Sequence, residues 1–208
     1  MPLQNRVTPW GEFLAVPERG RWMGNRGILH DDAGRLGRRR WTHKAWLICR
    51  LHFKDRRRVV MAPGRYTELF FLDEATAQAA GHRPCCECRR QDFHRFASCL
   101  AAGLGLESPP RAGDVDARLH AERVAAGRRA AVQDGPARRL PDGAFVLWPA
   151  AGAALVWRGR LWRWAPGGYG RPGIPLPSDT LRVLTPATTL AAIAGGYRPQ
   201  VDGSLADM

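Results

Sequence analysis

Three of the five cysteines in this 208-residue chain crowd into four consecutive positions, Cys85, Cys86 and Cys88, directly after Pro84. No other feature constrains the fold as strongly. A tight Cys-x-x-Cys turn points two thiolates at one centre, which is half of a tetrahedral zinc site, and the spacing suits a metal knuckle better than a disulfide framework. The remaining cysteines are Cys49 and Cys99. No charged segment followed by an apolar stretch stands at the N-terminus, and no apolar run approaches membrane-spanning length. The expectation is a reducing, cytoplasmic and nucleoid-associated setting with no membrane partner.

The elements around the knuckle follow from local pattern. Trp46, Ile48, Leu51 and Phe53 alternate in a strand over 45–53, and segments 58–61 and 66–71 return around Pro63-Gly64. Asp73 caps a short helix over 74–80 that Gly81 closes. A second helix over 89–104 turns Phe93, Phe96, Leu100 and Leu104 inward. A linker spans 105–113, and Asp114 caps a third helix over 115–129. From residue 144 the pattern becomes a β-meander with segments 145–148, 154–157, 161–164 and 181–184, then a helix over 188–194. Residues 1–42, broken by six glycines and three prolines, read as irregular. The class is α+β: a small antiparallel sheet with short helices and a Cys-x-x-Cys knuckle, plus a C-terminal meander lobe. The expected units are 1–104 and 114–208.

The string Ala79-Ala80-Gly81-His82-Arg83-Pro84-Cys85-Cys86-Glu87-Cys88, with Phe70-Phe71 ahead of the helix, resembles the second half of the Ada-type metal-binding domain. That module takes methyl groups from phosphotriesters in DNA. The resemblance covers residues 65–90 and implies a zinc site with Cys85 and Cys88 as ligands. The family's upstream half carries two more cysteines on a Cys-x3-Cys spacing, whereas here the upstream strand offers Cys49 alone. Alternation places Cys49 and His52 on opposite strand faces. The expected ligand set is then Cys85, Cys88 and Cys49 with a histidine, His120 first, and His43, His82 and His94 available. The other reading keeps the knuckle as a structural turn without metal.

Charge points to the partner. Thirty-two Lys and Arg stand against nineteen Asp and Glu, a net +13, and fourteen of the cations against five of the acids lie in residues 1–60. Such an excess favours a polyanion, because phosphate contacts release condensed counterions. Thirty of the cations are Arg, a preference that codon usage alone can impose, but codon usage does not set the excess of positive over negative charge. DNA is the expected partner, with Arg38, Arg39, Arg40, Arg56, Arg57 and Arg58 on phosphates. In the glycine-dense stretch 23–32, Asn25 and Arg26 are the residue types that read adenine and guanine edges. There His30 and Asp31 offer acid–base chemistry, or else a glycine-rich turn capped by Asp31.

A second constellation lies on the third helix. Asp116 and His120 share a face at i and i+4, and His120-Ala121-Glu122 beside Pro-Cys-x-x-Cys is also the pairing found, in reverse order, in zinc-dependent nucleobase deaminases. The function expected first is DNA binding of the repair or modified-DNA-recognition type. The alternative is an enzyme on a nucleobase in DNA, a base-excising glycosylase, deaminase or nuclease, drawing on His30, Asp31, Asp116, His120 and Glu122. An interaction module whose charge reflects composition is the third reading. Trp148, Trp157, Trp162 and Trp164 either stack bases or fill a small core.

Overall fold

The computed structural model describes residues 1–55, 59–125, 133–148, 152–170 and 172–205. In chain order its strands are β1 (Gln4–Val7), β2 (Phe13–Ala15), β3 (Trp22–Asn25), β4 (Leu47–Cys49), β5 (Leu69–Phe71), β6 (Arg83–Pro84), β7 (Gln133–Pro136), β8 (Phe145–Trp148), β9 (Gly152–Trp157), β10 (Arg160–Ala165), β11 (Gly168–Tyr169), β12 (Ile174–Pro175) and β13 (Thr180–Val183). Its helices are α1 (Glu74–Ala79), α2 (Arg90–Leu104), α3 (Ala112–Ala125) and α4 (Ala187–Ala194). The architecture is α+β, with two sheets and four short helices among the described residues.

The first sheet runs β2-β1-β5-β3-β4-β6. The expected antiparallel sheet is in fact mixed, because β1 pairs with β5, and β4 with β6, in parallel. Residues 1–42 are not irregular either, since β1, β2 and β3 lie within them. Strands of three or four residues between glycines hold their shape through cross-strand partners distant in sequence, which a local pattern cannot show. The expected strand at 58–61 does not form over 59–61. Met61 takes a left-handed backbone (φ +56°) that interrupts extended chain, and its N–H is bonded to the buried Glu68 carboxylate at 2.7 Å.

The second sheet is antiparallel, ordered β11-β10-β9-β8-β13-β7 with β12 on β10. Its meander follows the alternating pattern of the sequence. Trp162 and Trp164 share one buried face with Phe145 and Leu155, so these two indoles fill core. Each indole N–H finds an acceptor: Trp162 donates to the Trp157 carbonyl at 3.0 Å and Trp164 to Thr76 Oγ1 at 3.2 Å.

Helix α1 joins the two sheets. All six of its residues are buried, with small side chains at Ala75, Ala77 and Ala79. Ala75 and Ala79 pack into the core of the second sheet, while Ala77 packs into that of the first. The helix starts as expected, with Asp73 accepting from the Thr76 N–H at 2.8 Å, and Gly81 follows its end at φ +83°. Asp73 also accepts from Tyr169 Oη at 2.6 Å and from the Asp202 N–H at 3.0 Å. Glu74 accepts from Tyr197 Oη at 2.6 Å and lies 2.9 Å from the buried Arg89 guanidinium. These bonds tie the C-terminal segment to the helix that leads into the knuckle. Helices α2 and α4 cross closely. A Cβ on Gly103 would lie 1.9 Å from the Ala191 carbonyl oxygen, and one on Gly195 would lie 1.9 Å from that of Cys99.

Candidate metal centre

The parallel pairing of β4 with β6 builds the centre. Ile48 sits opposite Pro84, and the Cys85 N–H donates to the Ile48 carbonyl at 3.0 Å. Cys49, one residue past Ile48, therefore lies beside Cys85. The chain then turns, with Arg89 N–H on the Cys85 carbonyl at 3.1 Å, and Cys88 comes back to the same point before α2 begins. The Sγ atoms of Cys49, Cys85 and Cys88 all lie within 4.8 Å of one another. Tetrahedral zinc with bonds of about 2.3 Å would hold sulfurs roughly 3.8 Å apart, so small side-chain movements suffice to close the set. Two backbone amides aim at the sulfurs: Arg50 N–H at Cys88 Sγ and Glu87 N–H at Cys85 Sγ, each 3.4 Å.

The electrostatics suit a cation. Hydrogen bonds from Cys49 and Cys88 pull the Cys85 thiol well below its ordinary value. The bond to Cys85 and then that to Cys88, with burial behind them, push Cys49 far above its own. At Cys88 the bond with Cys49 pulls down, but the bond with Cys85 and burial push up further. One thiolate is thus cheap and is solvated by its two protonated neighbours. Three adjacent thiolates repel one another unless a metal ion neutralises them. Among the described residues this is the one group of three or more His, Cys, Asp or Glu side chains arranged to hold a metal.

His120 is not part of it. The i,i+4 geometry with Asp116 exists in sequence, but Arg83 claims Asp116 in a two-pronged ion pair at 2.8 and 2.7 Å, and His120 stands edge-on to the Trp41 ring with centroids 4.6 Å apart. Arg83 also donates to Cys86 Sγ at 3.3 Å and to the Pro84 carbonyl at 3.0 Å, so it braces the knuckle from behind. Nothing in the sequence signals this clamp, whose partners are 33 residues apart. Cys86 itself is exposed and outside the cluster.

The other sequence candidates are spread over the molecule. Glu122 accepts from the Thr188 hydroxyl at 2.6 Å and the Thr188 N–H at 3.1 Å, serving the first turn of α4. His30 is buried, with Nδ1 2.6 Å from Thr67 Oγ1 and Nε2 3.3 Å from the Ala62 carbonyl. Asp31 is exposed and accepts from the N–H groups of Ala33 and Arg35, the turn-capping role. Asn25 accepts from the Gly27 N–H at 3.3 Å and lies 3.1 Å from His43 Nε2. Arg26 is buried, which withdraws it from any base edge in this arrangement. Arg38, Arg39 and Arg40 are exposed, as are Lys44, Arg50, Lys54 and Arg90. Arg56, Arg57 and Arg58 lie outside the described residues.

No protein-family model, curated protein or solved structure matches the chain. The likeness to the Ada-type domain therefore rests on the motif, and what stands beside it is a cluster of three cysteines close enough to hold a metal ion. No helix among the described residues is long and apolar enough to cross a membrane.

Proposed function

We propose that this is a DNA-binding protein of the repair or modified-DNA-recognition type whose knuckle is held together by zinc. The observation that carries the reading is the convergence of Cys49, Cys85 and Cys88, with exposed Arg50 directly after Cys49, exposed Arg90 two residues after Cys88, and Lys54 nearby in sequence. Thiolate sulfur is the ligand type that zinc takes in structural sites, and a metal there would fix β4 against the start of α2. Cations at both ends of the knuckle would meet phosphate, with Arg38, Arg39 and Arg40 extending the footprint. Cys49 is buried, which favours a structural and recognition role over alkyl transfer to its sulfur.

A second reading has support from the ligand count. Three protein ligands leave a fourth position for water, the arrangement of catalytic zinc, and that suits an enzyme on a nucleobase. Its general acid would have to come from outside Asp116 and Glu122, which are committed to Arg83 and Thr188.

Metal content and a salt series test the first reading together. The expectation is about one zinc per chain, lost in Cys85→Ser. Duplex affinity should fall about 10²-fold between 50 and 200 mM salt for about four phosphate contacts. Zinc-free protein from zinc-supplemented cells, or a flat salt response, would overturn it. Abasic sites or strand cuts in modified-base oligonucleotides would favour the enzyme.

A further inference from the structure

Trp41 is the one exposed tryptophan of the eight, at 40%, and the other seven are buried or half-buried. A lone exposed apolar side chain needs no explanation by itself. The setting of this one does. Trp41 meets the His120 ring with centroids 4.6 Å apart and planes at 83°. In an edge-to-face pair one ring presents its rim and the other one of its faces, so at least one face of the Trp41 indole is turned away from His120. Among the described residues no other ring or guanidinium pairs with it.

The charge around the indole has one sign. Residues 33–54 carry seven Lys and Arg and not one Asp or Glu. Arg35 is paired with Asp31 at 3.0 Å. Arg38, Arg39, Arg40 and Lys44 flank the indole in sequence and are exposed, with no carboxylate at ion-pair distance among the described residues. Arg40 gives Nη1 to the Gly37 carbonyl at 2.8 Å and keeps its charge unpaired. The buried Arg26, whose carbonyl is bonded to this segment, has no carboxylate at ion-pair distance among the described residues either. Four cations within seven residues and without a counter-charge suit a phosphate backbone.

The segment is moored to the body of the protein. Thr42 donates its N–H to the Arg26 carbonyl at 2.8 Å, and the His43 carbonyl accepts from Trp46 Nε1 at 3.0 Å. The Lys44 carbonyl accepts from the Trp46 N–H at 3.0 Å and from Arg123 Nη2 at 3.3 Å. His43 Nε2 lies 3.1 Å from Asn25 Oδ1. Backbone groups on the C-terminal side of Trp41 are thus bonded inward, while the cationic side chains stay in solvent. An aromatic side chain held in this way loses less freedom on binding than one on a free arm.

The bases of a duplex show their edges in its grooves, and their flat faces are covered by neighbouring pairs. An open indole face among phosphate-binding cations therefore finds its partner in a base that is unpaired. We propose that Trp41 is a stacking platform for an unpaired base, and that the 38–44 surface takes single-stranded DNA in preference to duplex. One base lies on the open face of Trp41, and Arg38, Arg39 and Lys44 hold the adjoining phosphates. The inference rests on the DNA-binding reading and adds the strand form to it.

The test is the affinity of the full chain for a fluorescein-labelled oligonucleotide, read by anisotropy at fixed salt. The oligonucleotide is offered as a single strand, as a duplex with its complement, and as an abasic strand of equal length that keeps the phosphates without the bases. Wild type should bind the single strand most tightly. Trp41→Ala should weaken single-strand binding about 5- to 100-fold and leave the duplex and the abasic strand unchanged, and Trp41→Phe should restore most of the loss. Arg38→Ala with Arg39→Ala should weaken all three forms and reduce the single-strand salt slope by about 1.4, for two phosphate contacts. Unaltered single-strand affinity in Trp41→Ala overturns the platform, and so does a wild type that prefers duplex. An equal loss on all three forms in Trp41→Ala marks a structural role and overturns it as well. Should that variant fail to fold, wild type still decides: equal affinity for the abasic and the complete strand overturns stacking. Each of these outcomes leaves the DNA-binding reading standing. A chain that binds none of the three forms removes that reading, and this inference with it.

Discussion

The two sheets divide the chemistry unequally. The second is a meander whose tryptophan N–H groups at Trp162 and Trp164 are bonded and whose inner face is Phe145, Leu155 and the same two indoles. The first holds the three-thiol cluster, the uncompensated Arg26 and the neutral His82 beside it. Regular alternating strands satisfy their own backbone and bury their own side chains, although the Trp157 indole N–H is buried there without a partner. Short strands in mixed pairing bring together side chains from distant segments, and it is there that groups are held in states they would not choose in water. The second sheet is scaffold, and the first carries the cysteine cluster that could hold a metal.

Truncating the scaffold has the largest expected effect. Trp162→Ala should cost about 3–5 kcal/mol, which for a chain of this size lowers the melting temperature by roughly 10 °C, with metal content per folded chain unchanged. Loss of metal in that variant would mean that the sheets are not separable in function. A smaller effect belongs to Asp116→Asn. It leaves the buried Arg83 without its charge partner and should cost about 2–4 kcal/mol by denaturant unfolding. Since Arg83 braces Cys86 and the Pro84 carbonyl, metal affinity should fall with it.

The mildest expected effect is one of pH. His82 donates from Nδ1 to the Leu47 carbonyl at 3.0 Å and accepts at Nε2 from Arg26, so it is the neutral ring that fits. Burial, then the charge of Arg26, holds it well below its ordinary value of 6.5. The unfolded chain therefore binds this proton first, and stability falls as pH drops below about 6.5. In His82→Gln that part of the acid sensitivity should vanish from a pH series of melting curves; an unchanged profile would mean that other groups govern it.

What the sequence disclosed follows one rule. The cap at Asp73, the glycine at 81, the helix of α2 and the meander depend on neighbours within a few positions, and all stand in the structure. β1, β2 and β3 do not, because each is held by a partner strand. Cys49 was legible as a third sulfur beside Cys85 and Cys88, but what brings it there, the register of Ile48 against Pro84, was not. Asp116 was legible as a helix-face acid, but its owner, Arg83, was not. Arg26 was misjudged by type, since a charged residue in a basic segment reads as surface and this one is among the most buried side chains.

Helix α1 has a dynamic consequence. Its amides are shielded by a sheet on either side, so hydrogen exchange there requires both sheets to come away together. Those amides should exchange on the timescale of whole-molecule unfolding, whereas the exposed, irregular segment 38–44 should exchange by local opening many times faster. The shortest of the four helices is thus the molecule's slowest clock.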